Sequence, residues 1–523
     1  MRQLSGLDTS FLSIETATQF GHVASMTVYD ADEHRIPGQF YAAITKTIEE
    51  RIHLLPLLRR KLAMVPFGLD HPYWIDDADF DLDFHVRETA VAPPGTDHQL
   101  GELIGRLIGR PLDRSRPLWE VWIIEGLSGG RVAMLQKVHH CTIDGVQGVE
   151  MLTTLLDVDR AGRSIEPPRG KWRGEPVPSP QDLLARTAMN WTRNPARFFK
   201  LQRQAVATVR GMAKQAGFSG LPAAMGLMQI PGLGEALAKV LPANSRPEQF
   251  PTFADRPAPK TSFNKAITPH RRFAFRTLSI EEAKTVRRAY GVTLNDVVLA
   301  ISAGALRDYL IAREELSTEP LVAMVPVSIR TESEANVYSN RVTSVLCPLH
   351  TQIADPVERL QAIHRSMKSI KEMQAAIPAN LLTDLAHFAP PAVLARASRV
   401  VTRTKVLDRL NPPFNVIVSN VPGPNVALYT SGARLQHFYP VSTIVDGQGL
   451  NITVQSYLGN LDFGVVACRE LVENPWEITD GLARSLDELL TAARSSTSGS
   501  DPAPPPTARS APKRPRAAKA DPR

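Results

Sequence analysis

The 523-residue chain is 43% hydrophobic and 22% charged, which suits a soluble globular protein with a large core and excludes wholesale disorder, a collagen-like fibre and a small disulfide scaffold. Its net charge of +7 is concentrated at the end: Ser495 to Arg523 holds six basic residues and two acids, which is +4 and leaves +3 for the body. No basic-aromatic interleaving or DNA-binding motif accompanies that charge, so nucleic acid is not an expected partner.

At about 150 residues per domain, the length fits three to four domains or two large ones. Three cysteines, Cys141, Cys347 and Cys468, suit a reducing, cytoplasmic compartment. The N-terminus has no continuous apolar run, so no secretory signal is expected. Residues 1–160 mix the two periods of strand and helix. Trp119 to Leu127 reads as a strand, Ser128-Gly129-Gly130 as a turn, and Arg131 to His139 as a second strand. A helix is expected from Gly145 to Leu156, with Val149, Leu152 and Leu156 along one face.

Residues 161–265 read as a connector. The stretch from Glu166 to Pro180 is too proline-rich for regular structure. Leu183 to Phe218 then reads mainly as helix, interrupted near Pro195, with seven basic residues, no acid, and aromatic and aliphatic side chains between them. Such a segment fits either a lipid surface or a solvated helix packed on the body. The uncharged stretch Gln215 to Gly234 is long, but its glycines and prolines would break a spanning helix, and no transmembrane segment is expected.

Residues 266–493 form a second mixed region. Leu278 to Tyr290 reads as a helix, and Thr293 or Asn295 caps a second from Asp296 to Arg313. Strands are expected at Leu321–Ile329, Arg341–Leu346, Phe414–Ser419, Val441–Val445, Leu450–Tyr457 and Phe463–Cys468. Helices are expected at Ile353–Ala376 and Pro475–Ala493. Residues 494–523 form a basic Pro/Ala-rich tail, expected to be disordered.

The sharpest chemical feature is His139-His140-Cys141-Thr142-Ile143-Asp144-Gly145, an HHxxxDG at the end of a strand. Strand ends feeding loops are where sites are built. A neutral imidazole can take a proton from a hydroxyl near neutral pH. Adjacent strand residues face opposite ways, so one histidine serves chemistry and the other supports it. A metal site from the two histidines and Asp144, and a satisfied polar cluster, are the competing readings; diverging side chains and the lack of HExxH or CxxC weigh against metal. There is no Walker loop, dinucleotide fingerprint or GxSxG elbow. A histidine base without an obvious protein nucleophile suits direct attack by a substrate hydroxyl on an activated acyl group.

HHxxxDG is the hallmark of the CoA-dependent acyltransferase superfamily. Further motifs follow in order: Leu4-Ser5-Gly6-Leu7-Asp8-Thr9-Ser10-Phe11-Leu12, Pro117-Leu118-Trp119, Asn295-Asp296, Pro326-Val327-Ser328-Ile329-Arg330 and Ser419-Asn420-Val421-Pro422-Gly423-Pro424. Together they resemble the bacterial wax ester synthase/diacylglycerol acyltransferase family over about residues 1–490. The resemblance implies an α/β fold of two chloramphenicol-acetyltransferase-like domains joined by a long crossover, with a tunnel between them. It implies His140 as general base, His139 in support, Asp144 as a structural residue, Gly145 as clearance for the tunnel, and Asn295 and Asp296 as the family's second motif, read either as helix capping and domain packing or as support of the substrate channel. Thr453 and Ser456 are candidates for the oxyanion donor. The implied reaction moves a long-chain acyl group from acyl-CoA, the cosubstrate, to diacylglycerol or a long-chain alcohol, with no cofactor or metal. Peripheral contact with the inner membrane surface or lipid droplets is a further expectation. An enzyme of the same fold acting on another lipid or polyketide alcohol, and a non-catalytic lipid-surface protein, stand as alternatives.

Overall fold

The computed structural model describes residues 1–31, 36–142, 151, 153–193, 258–328, 342–375 and 411–498. In chain order its strands are β1 (Arg2–Gln3), β2 (His22–Asp30), β3 (Arg60–Ala63), β4 (Tyr73–Asp76), β5 (Val86–Ala90), β6 (Trp119–Glu125), β7 (Arg131–His139), β8 (Arg271–Ser279), β9 (Val322–Ser328), β10 (Val342–Pro348), β11 (Val416–Val421), β12 (Tyr429–Thr430), β13 (Ala433–Val441), β14 (Leu450–Tyr457) and β15 (Asn460–Cys468). The helices that matter below are α1 (Gly6–Ser13), α2 (Gln39–Arg51), α3 (Asp97–Ile108), α4 (Pro180–Arg193), α5 (Ile280–Tyr290), α6 (Leu294–Ile311), α7 (Pro356–Ala375) and α8 (Trp476–Ser498).

Two six-stranded sheets organise the chain, β12-β13-β2-β7-β6-β5 and β10-β9-β11-β14-β15-β8, with a small sheet β1-β4-β3 beside the first. Both large sheets mix parallel and antiparallel pairs, so the fold is the α/β type expected. β7 is buried along nearly its whole length, because both faces of its sheet are covered. On one face, Phe40, Ile44 and Ile48 of α2 recur at helical spacing and pack on Tyr29, Val121, Ile123 and Met134. On the other, Leu100, Ile104, Leu107 and Ile108 of α3 pack on Met26, Val28, Ala133 and Leu135.

α3 also joins the two sheets. A Cβ at Gly101 or Gly105 would stand 2.6 Å from Phe273 O or 2.7 Å from Arg271 O. Glycine at these positions lets the helix lie directly on β8, the edge strand of the second sheet, and cover an edge that would otherwise invite pairing. In the second half, α6 is apolar around most of its circumference and buries Val297, Leu299, Ile301 and Leu306 completely. Each such side chain contributes about 1.5–3 kcal/mol on burial.

One strand crosses between the halves. β13 lies in the first sheet, antiparallel to β2, from Arg434 opposite Asp30 to Val441 opposite Ala24. The sequence reading puts a strand at Val441–Val445, but the strand ends at Val441. Pro440, which lacks an N–H, lies inside the strand upstream. Among the described residues β13 pairs at Pro440 with β2 alone, so the missing donor breaks no second ladder there.

The other expected elements are found with shifts of a few residues at their ends, and α8 continues past Ala493 to Ser498. Thr293 caps α6 through a reciprocal capping box with Asp296. The proline-rich stretch after Glu166 has no regular structure but is strapped to the small sheet. Arg59 sits 3.7 Å over the Trp172 ring, Trp172 Nε1 donates to Asp77 O at 2.8 Å, and Glu175 binds the N-terminal amine at 2.7 Å. Of the helix expected at Leu183–Phe218, the described part is α4; the rest lies outside the described residues, as do Asp144, Gly145, most of the helix expected from Gly145, and the tail beyond Ser498.

Candidate active site

Strand β7 delivers the histidine pair. His139, its last residue, stands opposite His22 of β2 and is buried, while His140 begins a tight turn and is half-buried. The turn is pinned on every side: His139 N–H donates to Leu118 O (3.0 Å), His140 N–H to Gly21 O (2.9 Å) and Thr142 N–H to His139 O (2.9 Å). The two rings therefore part company, as alternation along a strand requires.

The ring of His139 is committed to the protein. Its Nδ1 accepts the Cys141 N–H at 3.1 Å. An Nδ1 that accepts carries no proton, which leaves Nε2 as the donor nitrogen of the ring. Nε2 faces the Glu15 carboxylate, 3.7 Å away, and makes no hydrogen bond among the described residues. A Cβ on Gly21 would come within 2.4 Å of this atom, so the position admits only glycine without displacing the ring.

The ring of His140 stacks on Phe11, with centroids 4.7 Å apart and planes 12° from parallel. Burial first, and then the neighbouring His139, lower its pKa to about 4. Near neutral pH it is an unprotonated imidazole. Cys141, next in sequence, is no rival: burial pushes its thiol far above the usual range, and it packs with Leu4, Leu12, Leu62, Leu112 and Leu118.

The opening motif acquires a purpose. Ser5 caps α1 by accepting the Asp8 N–H, and this short helix lays Phe11 on the His140 ring and Leu12 against Cys141. Pro117-Leu118-Trp119 is packing: Leu118 O receives the His139 amide, and Trp119 donates to Leu58 O at 2.7 Å while stacking on His85.

Two residues the sequence reading missed lie beneath the pair. Glu15 follows α1, and Arg114 precedes β6. Arg114 Nε donates to Glu15 Oε2 at 2.9 Å, its Nη2 makes a second contact with the same oxygen, and Nη2 also donates to Leu12 O at 2.8 Å. The Gly21 N–H donates to Glu15 Oε1 at 3.2 Å. Burial alone would raise the Glu15 carboxyl, but His139 and Arg114 outweigh it and hold it at about 2. Nothing local marks Glu15 in sequence; only the fold brings it to the histidines.

Asn295 and Asp296 sit at the start of α6 in the other half. The Asp296 carboxylate accepts the Thr293 N–H at 2.9 Å and lies 2.7 Å from His364 Nδ1. These are the bonds of a cap and a helix–helix contact, so any support Asp296 gives a channel is indirect. Asn295 is half-buried beside it. On β14, the Thr453 hydroxyl bonds Asn451 Oδ1 and Ser442 Oγ, both at 2.8 Å, and Ser456 Oγ accepts the Gly423 N–H at 3.1 Å. Asn451 Nδ2 donates to Thr443 O, and the Thr443 hydroxyl donates to Phe20 O. A chain of hydrogen bonds thus runs from the second sheet to the residue before Gly21. Among the described residues no group of three or more histidine, cysteine or acidic side chains could hold a metal ion.

Comparison with known proteins follows the same lines. The profile of the wax ester synthase/diacylglycerol acyltransferase catalytic domain matches residues 4–298, and that of the family's C-terminal domain matches residues 338–490. A Mycobacterium tuberculosis protein named probable diacylglycerol O-acyltransferase tgs2 is 36% identical over 487 residues, 93% of this chain and 98% of its own. A second M. tuberculosis protein named for the same activity is 34% identical over 506 residues, 96% of this chain and 92% of its own. Among solved structures, the wax ester synthase/diacylglycerol acyltransferase of Marinobacter aquaeolei is similar with a TM-score of 0.66 at 27% identity, covering 94% of this chain and 100% of that one.

Proposed function

The chain belongs to the wax ester synthase/diacylglycerol acyltransferase family, and on that premise we propose that His140 is the general base for acyl transfer from long-chain acyl-CoA to the hydroxyl of diacylglycerol, making triacylglycerol, with fatty alcohols as second acceptors that give wax esters. The observation that carries this reading is the contrast within the pair: a buried His139 already engaged by the protein, beside a half-buried, unprotonated His140. Neutral His140 takes the acceptor hydroxyl's proton as that oxygen bonds to the thioester carbon. The carbonyl becomes a tetrahedral oxyanion. Its collapse breaks the C–S bond, and the imidazolium returns the proton to the departing CoA sulfur. The protonated, buried Cys141 thiol supports direct transfer rather than an acyl-cysteine intermediate. The family resemblance assigns Asp144 a structural role and Gly145 clearance for substrate; both lie outside the described residues.

We also propose that the enzyme works peripherally at a lipid surface in the cytoplasm. The β3–β4 loop supports this by presenting Met64, Leu69 and an 84%-exposed Phe67, with α4 alongside: Asn190 bonds Asp70 and Tyr73, and exposed Met189 is its neighbour. The small sheet that carries the loop packs through Leu62 and Trp74 on Leu12 and Cys141. No single described helix is long and apolar enough to cross a membrane.

The test is purified protein with labelled oleoyl-CoA and either dioleoylglycerol or hexadecanol, with His140→Ala as control. Triacylglycerol or wax ester that disappears in the variant is the expected result, and the product ratio ranks the acceptors. CoA release without either lipid product points to hydrolysis or a different alcohol, and binding of lipid without turnover points to a non-catalytic lipid-surface protein.

A further inference from the structure

We propose that Glu15, clamped by Arg114, is a positioning residue for the transfer: the ion pair holds the supporting His139 ring in one orientation and so fixes the turn from which His140 works. The inference rests on His140 being the base.

The geometry runs through four contacts. Arg114 grips Glu15 Oε2 and the Leu12 carbonyl, so the carboxylate cannot swing away from α1. Glu15 Oε1 receives the Gly21 N–H, and the Gly21 carbonyl receives the His140 N–H. One residue thus carries an anchor for each histidine: the Glu15 carboxylate opposite His139 Nε2, and, through Gly21, the acceptor of the His140 amide. The Glu15 side chain is 8% exposed and that of His139 is 1% exposed, so neither can turn to solvent for an alternative partner.

Arg114 supplies the charge opposite the buried Glu15 carboxylate, and the Cys141 N–H holds the other side of the His139 ring through Nδ1. The other titratable groups around the pair are His22 on β2, held unprotonated chiefly by burial; Lys137 on β7, which pairs with Glu120; and Asp8 on α1. None of them bridges the two histidines.

A double-mutant cycle tests the clamp, with kcat and KM for acyl transfer measured separately on each protein. Glu15→Gln keeps the shape and loses the charge. The expected result is a fall in kcat of about tenfold with KM little changed, since substrate binding is untouched. Arg114→Gln is expected to fall further, because it leaves the carboxylate uncompensated. The double variant should then lose no more than Arg114→Gln alone, a non-additive result that coupled groups give. Glu15→Asp, which changes length but keeps charge, should retain more kcat than Glu15→Gln; it also serves if the glutamine variant folds poorly by circular dichroism. Losses that multiply in the double variant, losses confined to KM, or an aspartate variant worse than the glutamine one would overturn the proposal. An active His140→Ala would instead overturn the reading on which it rests.

Discussion

The two halves of the chain are built alike and loaded differently. Each has a six-stranded mixed sheet covered by helices. In the first, the central strand β7 ends in buried Lys137, buried His139 and half-buried His140, with Glu15 and Arg114 brought in from distant loops. In the second, Thr293 and Asp296 at the start of α6 and His364 of α7 spend their described bonds on capping α6 and tying it to α7. Motif residues are equally conspicuous in both. What separates them is what those side chains bind: Asp296 accepts the Thr293 N–H and meets His364 Nδ1, both through Oδ2, whereas the half-buried ring of His140 makes no hydrogen bond among the described residues.

The sharpest way to break this comparison is to truncate one residue from each half. His140→Ala should lower kcat about 10²–10⁴-fold, the range a general base contributes, with the fold intact. Asp296→Ala should do the reverse: activity of the folded protein within a few-fold of wild type, and stability lower by about 1–2 kcal/mol, from a lost cap and a lost contact with half-buried His364. Denaturant titration beside the acyl-transfer assay reads both, and comparable activity losses in the two variants would erase the distinction.

Gly21→Ala follows in size. The added methyl meets the His139 ring and must push it or the β2 entry aside. A large loss of kcat is expected without loss of CoA or lipid binding; full activity would mean the ring can move freely and positions nothing.

Acidity gives a smaller effect with a definite sign. His140, lowered to about 4, should keep kcat/KM level from neutral pH down to about pH 5, falling only as pH drops through about 4; an unperturbed histidine would fall near 6.5. Stability moves in the same direction. Glu15, held at about 2, contributes stability that is fully present above the unfolded carboxylate value and is lost as pH falls toward 2. His22, held at about 3 by burial and then Lys137, favours unfolding increasingly below about 6.5, where the unfolded side chain takes up a proton. Circular dichroism across the same range separates loss of the base from loss of the fold.

Legibility followed locality. The strand–turn–strand ending at His139 and the capping box at Thr293 are short-range patterns, and the structure has both. The roles of Glu15, Arg114 and Gly21 depend on contacts across about a hundred residues of chain, and none of the three sits in a pattern of its own. The crossing of β13 into the first sheet was hidden by Pro440, whose usual meaning is a strand boundary. The small sheet was hidden by brevity, since β1 has two residues and β3 and β4 have four each. The opening motif was legible as a family signature but not as a mechanism; its use, a stacking surface for His140, required the ring of Phe11 to be seen.

The smallest effect on the fold belongs to Phe67, and it extends the comparison from the core to the surface. A residue 84% exposed, on a turn with φ of 58°, contributes little packing and sits in a backbone region that suits asparagine or glycine better than a bulky side chain. Nearby Val65 and Ala63 are buried with Tyr73, Ile75 and Leu183, so the loop is firmly seated while its tip is not. Phe67→Asn should therefore change stability by no more than about 0.5 kcal/mol. It should nonetheless reduce co-flotation with anionic liposomes, and slow transfer to diacylglycerol held in vesicles more than transfer to a short, water-soluble alcohol. Loss on both acceptors alike would assign the tip to the reaction itself, and no loss on either would leave the exposed ring without a lipid partner. A selective loss would tie the apolar loop to delivery of the acceptor, through the same small sheet that backs Leu12 and Cys141.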